Sequence, residues 1–303
     1  MDTRIGVGTF KSTPLMEEMV LEVLRSGRIS YGPMSEEFEK RVSSIHGCEY
    51  GVLSNSGTSS LQVALQALKT VHGWEDGDEV IIPATTFVAT ANVILHNNLK
   101  PVLVDVDRHT FCIDPHYIRS FLTKKTRCII PVHLMGQAAN MKAIREAIRD
   151  YPDIKIVEDS CEAMFASHHG EMVGSMGDIG CFSFYVAHLL TTGVGGMAIT
   201  NNKEYAAVMR SLVNHGRDTS SYYSIDSNLF GTDEIMEKVV SNRFNFTLIG
   251  HSFRITELEA AIGLAQLETY KDMIDKRQYN VALLMGHLMQ FESKLKLPVV
   301  EAG

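Results

Sequence analysis

Short runs rich in aliphatic and β-branched residues alternate with helix-patterned segments along most of the chain, and this alternation constrains the fold more than any other feature. The runs are Tyr50 to Ser54, Glu79 to Pro83, Pro101 to Asp105, Arg127 to His133 and Ile154 to Asp159, each ending in small or polar residues. Parallel neighbours need a long crossover, usually a helix, so this order predicts an α/β fold with a mostly parallel sheet. Leu61 to Leu68 carries apolar residues at helical spacing and follows the turn and capping residues Asn55, Ser56, Gly57 and Thr58, so a strand feeds a helix N-terminus there. Ligands of open α/β sheets lie beyond the carboxyl ends of the strands. Ser56 to Ser59, Phe87, His133 and Asp159 are therefore expected to converge on one site, although they lie far apart in the chain.

The segment Cys181 to Tyr185 reads as a further strand, followed by a Gly-rich turn into Met197 to Thr200, with His188 in the connection. Thr256 to Met289 is mainly helical in pattern, Lys296 to Val300 starts something extended, and the polar stretch Asp218 to Lys238 reads as a long loop. With 303 residues, the chain has room for one large α/β unit or two domains. Hydrophobic residues at 45% exclude a disordered chain, and a net charge of −8 argues against a broad nucleic-acid surface. Five widely spaced cysteines read as free thiols of a reducing compartment. The first ten residues lack a secretory pattern and no run approaches the ~18 apolar residues of a membrane span, so a cytoplasmic protein without membrane contact is expected.

Several residues have both a chemical and an ordinary reading. Gly57, Thr58 and Ser59 suit an anion at a helix N-terminus, or a plain strand-to-helix turn. Asp159, followed by Cys161 and Glu162, suits an ion pair with a protonated ring nitrogen, or a helix cap. Phe87 suits stacking on a flat cofactor, or the core. His188 suits proton transfer, or packing. The pair His168-His169 beside Gly170 reads as a solvated hairpin turn, and no metal-binding array occurs.

Taken in order, the motifs resemble the DegT/DnrJ/EryC1/StrS family of sugar aminotransferases and dehydratases, which have the aspartate-aminotransferase-like fold (fold type I). The resemblance runs through Ser26-Gly27-Arg28, Tyr31-Gly32-Pro33, Ser56-Gly57-Thr58-Ser59, Pro83-Ala84-Thr85-Thr86-Phe87 with Ala89-Thr90, and Pro101 to Asp107. It continues through Glu158-Asp159, Gly177-Asp178, Phe182-Ser183-Phe184, Gly195-Gly196, and Arg254 ahead of Ala260 to Leu267. It implies a large domain over residues 1–250 and, over 251–303, a helical connection to a small, incomplete C-terminal domain. The implied cofactor is pyridoxal 5'-phosphate or pyridoxamine 5'-phosphate. Asp159 would pair with its pyridine nitrogen, Phe87 would stack on the ring, and Gly57, Thr58, Ser59 and Ser183 would hold the phosphate. The implied assembly is a homodimer with shared sites. In Gly250-His251-Ser252-Phe253-Arg254, Ser252 stands where the family carries an Asn that reaches the neighbouring subunit's phosphate.

The main departure is His188, which occupies the place of the catalytic lysine; no lysine lies between Ser183 and Gly193. Only a primary amine condenses with an aldehyde and later exchanges, so imidazole cannot form that link. A histidine here is similar to the family's sugar 3-dehydratases, as is Asp159-Ser160-Cys161-Glu162. Those enzymes hold the amine form of the cofactor without a covalent link. The resemblance thus implies a nucleotide-linked 4-keto-6-deoxy sugar as substrate, His188 as acid and base in loss of the 3-hydroxyl, ammonia as a product and glutamate as amino donor. A family enzyme with a different reaction, such as amination, and a cofactor-binding homologue without turnover are the alternatives.

Overall fold

Among the described residues, two helices precede the first strand: α1 (Pro14–Ser26) and α2 (Pro33–Ile45), both opening on proline, whose missing N–H is not needed at that position. The protein is seen here as a computed structural model that describes residues 10–218 and 244–298. The strands are β1 (Tyr50–Ser54), β2 (Glu79–Pro83), β3 (Lys100–Val104), β4 (Thr126–Ile129) and β5 (Lys155–Asp159). They continue with β6 (Ser167–His168), β7 (Glu171–Met172), β8 (Ile179–Ser183) and β9 (Gly196–Thr200). Helices α3 (Gly57–His72), α4 (Val88–His96), α5 (Pro115–Phe121) and α6 (Met141–Ala147) connect the first five strands. After β9 come α7 (Lys203–Val213), α8 (Glu257–Leu267) and α9 (Tyr270–Leu288).

Among the described residues, seven strands make one sheet in the order β1-β9-β8-β5-β4-β2-β3. Strand β9 is antiparallel to both neighbours and every other pairing is parallel, which is the mostly parallel mixed sheet expected. Strands β2 and β9 are buried along their whole length, because helices cover both faces. Leu61, Leu65 and Leu68 of α3 and Met209 and Leu212 of α7 share one core with Val52 and Ala198. Ile118 of α5 and Ile144 of α6 share another with Ile81 and Ile129. A third joins Phe38 and Val42 of α2, Phe182 and Met197 of the sheet, and Ala260 and Leu264 of α8.

Several boundaries differ from the expectation. The run Arg127 to His133 makes regular strand only to Ile129, because Pro131 has no N–H for a ladder. Beyond it, Asp159 N–H donates to Pro131 O (2.9 Å) and His133 N–H to Asp159 O (3.0 Å). The strand expected at Cys181 to Tyr185 is Ile179–Ser183. The helical stretch from Thr256 divides after Leu267 into α8, started by a Thr256–Glu259 capping box, and α9, which buries none of its side chains. Lys296 to Pro298 belong to no strand, and the rest of that run lies outside the described residues. The loop expected at Asp218 to Lys238 also lies outside them, apart from Asp218. His169 and Gly170, at φ 52° and 82°, form the β6–β7 hairpin turn, but His168 is buried rather than solvated.

Candidate active site

Ser54 ends β1, and the chain turns at once into α3, with Ser56 as its cap: the Ser56 hydroxyl accepts from Ser59 N–H at 3.0 Å. A helix's leading N–H groups have no partner within the helix. Here that first turn opens, at Gly57 and Thr58, into a cavity of about 440 Å³ beyond the carboxyl ends of β5 and β8. The approach is close: a Cβ on Gly57 would lie 2.6 Å from Ser183 Cβ and 2.9 Å from Cys161 Sγ, so only glycine lets α3 seat against β8.

The cavity wall also contains Phe87, Asp159, Cys161, Glu162, Ser183, Tyr185 and His188. Phe87, the residue before α4, is 69% exposed and thus offers a free aromatic face. Asp159, at the end of β5, is only 5% exposed, yet it faces the cavity. Thr90 of α4 donates its hydroxyl to Asp159 Oδ2 at 2.8 Å, and Cys161 N–H lies 3.4 Å from Oδ1. Burial, and next the Asp159 charge, push the Cys161 thiol well above its ordinary pKa, so it stays protonated. Glu162 accepts from Met135 N–H at 2.6 Å and anchors the 134–136 turn beside the cavity.

His188 N–H donates to Tyr185 O at 2.9 Å, and the two rings meet edge to face, 6.4 Å between centroids. Burial holds the imidazole below its ordinary pKa, and the Glu162 and Asp159 charges act in the opposite direction. A neutral imidazole with two carboxylates nearby can take a proton and have the resulting charge stabilised.

The fold therefore brings together Gly57, Thr58, Phe87, Asp159, Glu162, Ser183 and His188. Ser59 stands behind the wall, its hydroxyl donating to Asn55 Oδ1 at 2.7 Å. Ser252 is outside the cavity and accepts from Arg254 Nη2 at 2.8 Å. His133 does not join the site, contrary to expectation: its Nδ1 accepts from Ala139 N–H, and its Nε2 donates to Glu158 Oε2 at 2.9 Å in a fully buried pair. Sequence reasoning gave no role to Thr90 or Tyr185. Thr90 was readable in principle, as a hydroxyl three residues after Phe87 in the first turn of the helix that Phe87 precedes. Tyr185 carries no such signal. Among the described residues no cluster of three or more His, Cys, Asp or Glu is placed to hold a metal ion, and no helix is long and apolar enough to cross a membrane.

A helix N-terminus with hydroxyls, an unpartnered aromatic face and a buried carboxylate in one strand-end cavity suit a flat phosphorylated heterocycle with a protonated nitrogen. Fold and site thus define an α/β protein of the cofactor-dependent enzyme class. Residues 13–302 match the DegT/DnrJ/EryC1/StrS aminotransferase family, and the chain belongs to it. It is 34% identical over 298 residues to the GDP-perosamine synthase of Caulobacter vibrioides, covering 98% of this chain and 73% of that one. The E. coli GDP-4-keto-6-deoxy-D-mannose-3-dehydratase with bound hydrated PLP superposes with a TM-score of 0.84 at 25% identity, over 94% of this chain and 73% of that one. An aminotransferase from Psychrobacter cryohalolentis gives a TM-score of 0.84 at 31% identity, over 95% and 70%.

Proposed function

We propose that the protein removes the 3-hydroxyl of a nucleotide-linked 4-keto-6-deoxy sugar, with His188 as acid and base, in deoxysugar biosynthesis. The observation that carries this reading is the cavity wall itself: it presents an imidazole at His188 and, among the described residues, contains no lysine. The cofactor is pyridoxal 5'-phosphate, used in its amine form, pyridoxamine 5'-phosphate. When bound, it supplies an amine that condenses with the sugar ketone and a ring that accepts electron density. Gly57 and Thr58, with the Ser183 hydroxyl, hold the phosphate at the start of α3, and Phe87 covers the ring. Asp159 keeps the ring nitrogen protonated. His188 accepts a proton on the imidazole and returns it to the departing hydroxyl. Glu162, whose charge acts on His188, favours the imidazolium that forms between the two transfers.

Glutamate restores the amine, and the assembly is a homodimer in which Ser252, outside its own chain's cavity, approaches the neighbouring subunit's phosphate. The likeness to a Psychrobacter aminotransferase supports a second reading, amination of the same class of sugar. Incubation with pyridoxal phosphate, glutamate and a panel of nucleotide 4-keto-6-deoxyhexoses separates the two. Free ammonia with a product lacking the C3 oxygen is the expected result; an aminated sugar without ammonia overturns dehydration.

A further inference from the structure

The cap residue and first turn of α4 supply an aromatic wall and a clamp on Asp159. Thr90 is fully buried, its N–H donates to Phe87 O at 3.1 Å, and its hydroxyl donates to Asp159 Oδ2 at 2.8 Å. Thr86 Oγ1 donates in turn to Thr90 Oγ1 at 2.8 Å. A hydroxyl has a single proton, so the donation from Thr86 leaves Thr90's own proton committed to the carboxylate. Oδ2 is therefore occupied from the protein side, whereas the backbone approach to Oδ1 is the long one of Cys161 N–H at 3.4 Å; the Cys161 thiol also hydrogen-bonds the carboxylate, which still faces the cavity.

We propose that Thr90 is a positioning residue that fixes the plane of the Asp159 carboxylate, so that Oδ1 alone meets the protonated ring nitrogen of the cofactor. This rests on the reading of the cavity as the cofactor site. Since Phe87 begins the same turn, ring stacking and nitrogen pairing share one rigid element, and the depth and tilt of the ring are set together. Thr86 holds the Thr90 rotamer and acts one step further back.

The test uses the full chain with pyridoxamine phosphate labelled with ¹⁵N in the ring. Wild type should bind it and show the resonance of a protonated ring nitrogen. Thr90→Val, which keeps the shape and removes the hydroxyl, should move the resonance towards the unprotonated value and weaken binding about tenfold or more, as for loss of a hydrogen bond to a charged group. Thr90→Ser should restore both. If Thr90→Val does not fold, as judged by its unfolding transition, Thr90→Ala carries the same expectation. Unchanged resonance and affinity in a folded hydroxyl-less variant overturn the proposal. If wild type does not bind the probe, or Asp159→Asn leaves the resonance unchanged, the underlying site assignment fails instead.

Discussion

At the scale of single residues, the proposed chemistry depends on an imidazole whose protonated form is disfavoured by burial. His188→Ala should lower turnover by about 10²–10⁴-fold, the usual contribution of a positioned acid–base group, while pyridoxamine phosphate still binds. Steady-state turnover with equilibrium dialysis checks both, and a variant with full turnover removes His188 from the mechanism. Because burial lowers the pKa of His188, its neutral form persists to lower pH than that of a free histidine. The acid limb of the pH–rate profile should therefore fall below pH ~6.5; a limb at or above neutrality contradicts the role. The departure at His188 was legible in the sequence, because the aminotransferases that the chain resembles carry a lysine there and an imidazole cannot form the lysine's link to an aldehyde. Its neighbours were not: the Glu162 charge and the edge-on Tyr185 ring arise from chain turns that carry no periodic pattern.

At the scale of elements, two glycines separate binding from stability. Gly57 lets the start of α3 lie against β8, and Gly263 lets α8 lie on the Phe38 ring of α2, which a Cβ would overlap. Gly57→Ala should push α3 away from Ser183 and weaken pyridoxamine phosphate binding. Gly263→Ala should lower the unfolding free energy by about 1–3 kcal/mol, the usual cost of overpacking, and leave cofactor affinity unchanged. Urea titration and a binding isotherm on each variant distinguish them; equal affinity losses in both would show that α3 does not shape the site. Strands and helices were legible as elements because buried strands and amphipathic helices impose their periods on the chain. Their ends were less so, since Pro131 stops the β4 ladder while β5 continues beside it.

At the scale of the molecule, stability should depend on pH through His46, a residue outside the site. Its Nδ1 donates to Val173 O at 2.7 Å, its ring packs on Phe182, and its Nε2 is buried without a partner. Burial lowers its pKa to about 4, from an ordinary value of 6.5. The unfolded chain takes up this proton as pH falls below about 6.5, whereas the folded protein resists it until about 4. His46 therefore costs no stability above pH 6.5, and about 3 kcal/mol is lost as pH falls from there to 4. The loss between pH 7 and pH 5, measured by urea unfolding, should shrink in His46→Leu; an equal loss in both proteins would refute the assignment. Sedimentation equilibrium should give twice the chain mass, and a mixture of Ser252 and His188 variants should recover part of the activity if sites are shared.

The order of strands and helices, the family and the cofactor-type motifs follow from the sequence alone, because backbone hydrogen bonding and apolar burial act locally and leave periodic marks. Which side chains meet was decided only by the tertiary structure. Asp159 and Thr90 are 69 residues apart and touch because β5 lies beside β4 and β8 and α4 packs near the same sheet end. His133 precedes the same cavity, but its ring turns away to the buried Glu158, where three N–H donors converge on one carboxylate. No local pattern carries such choices, since they depend on where distant elements place their charges.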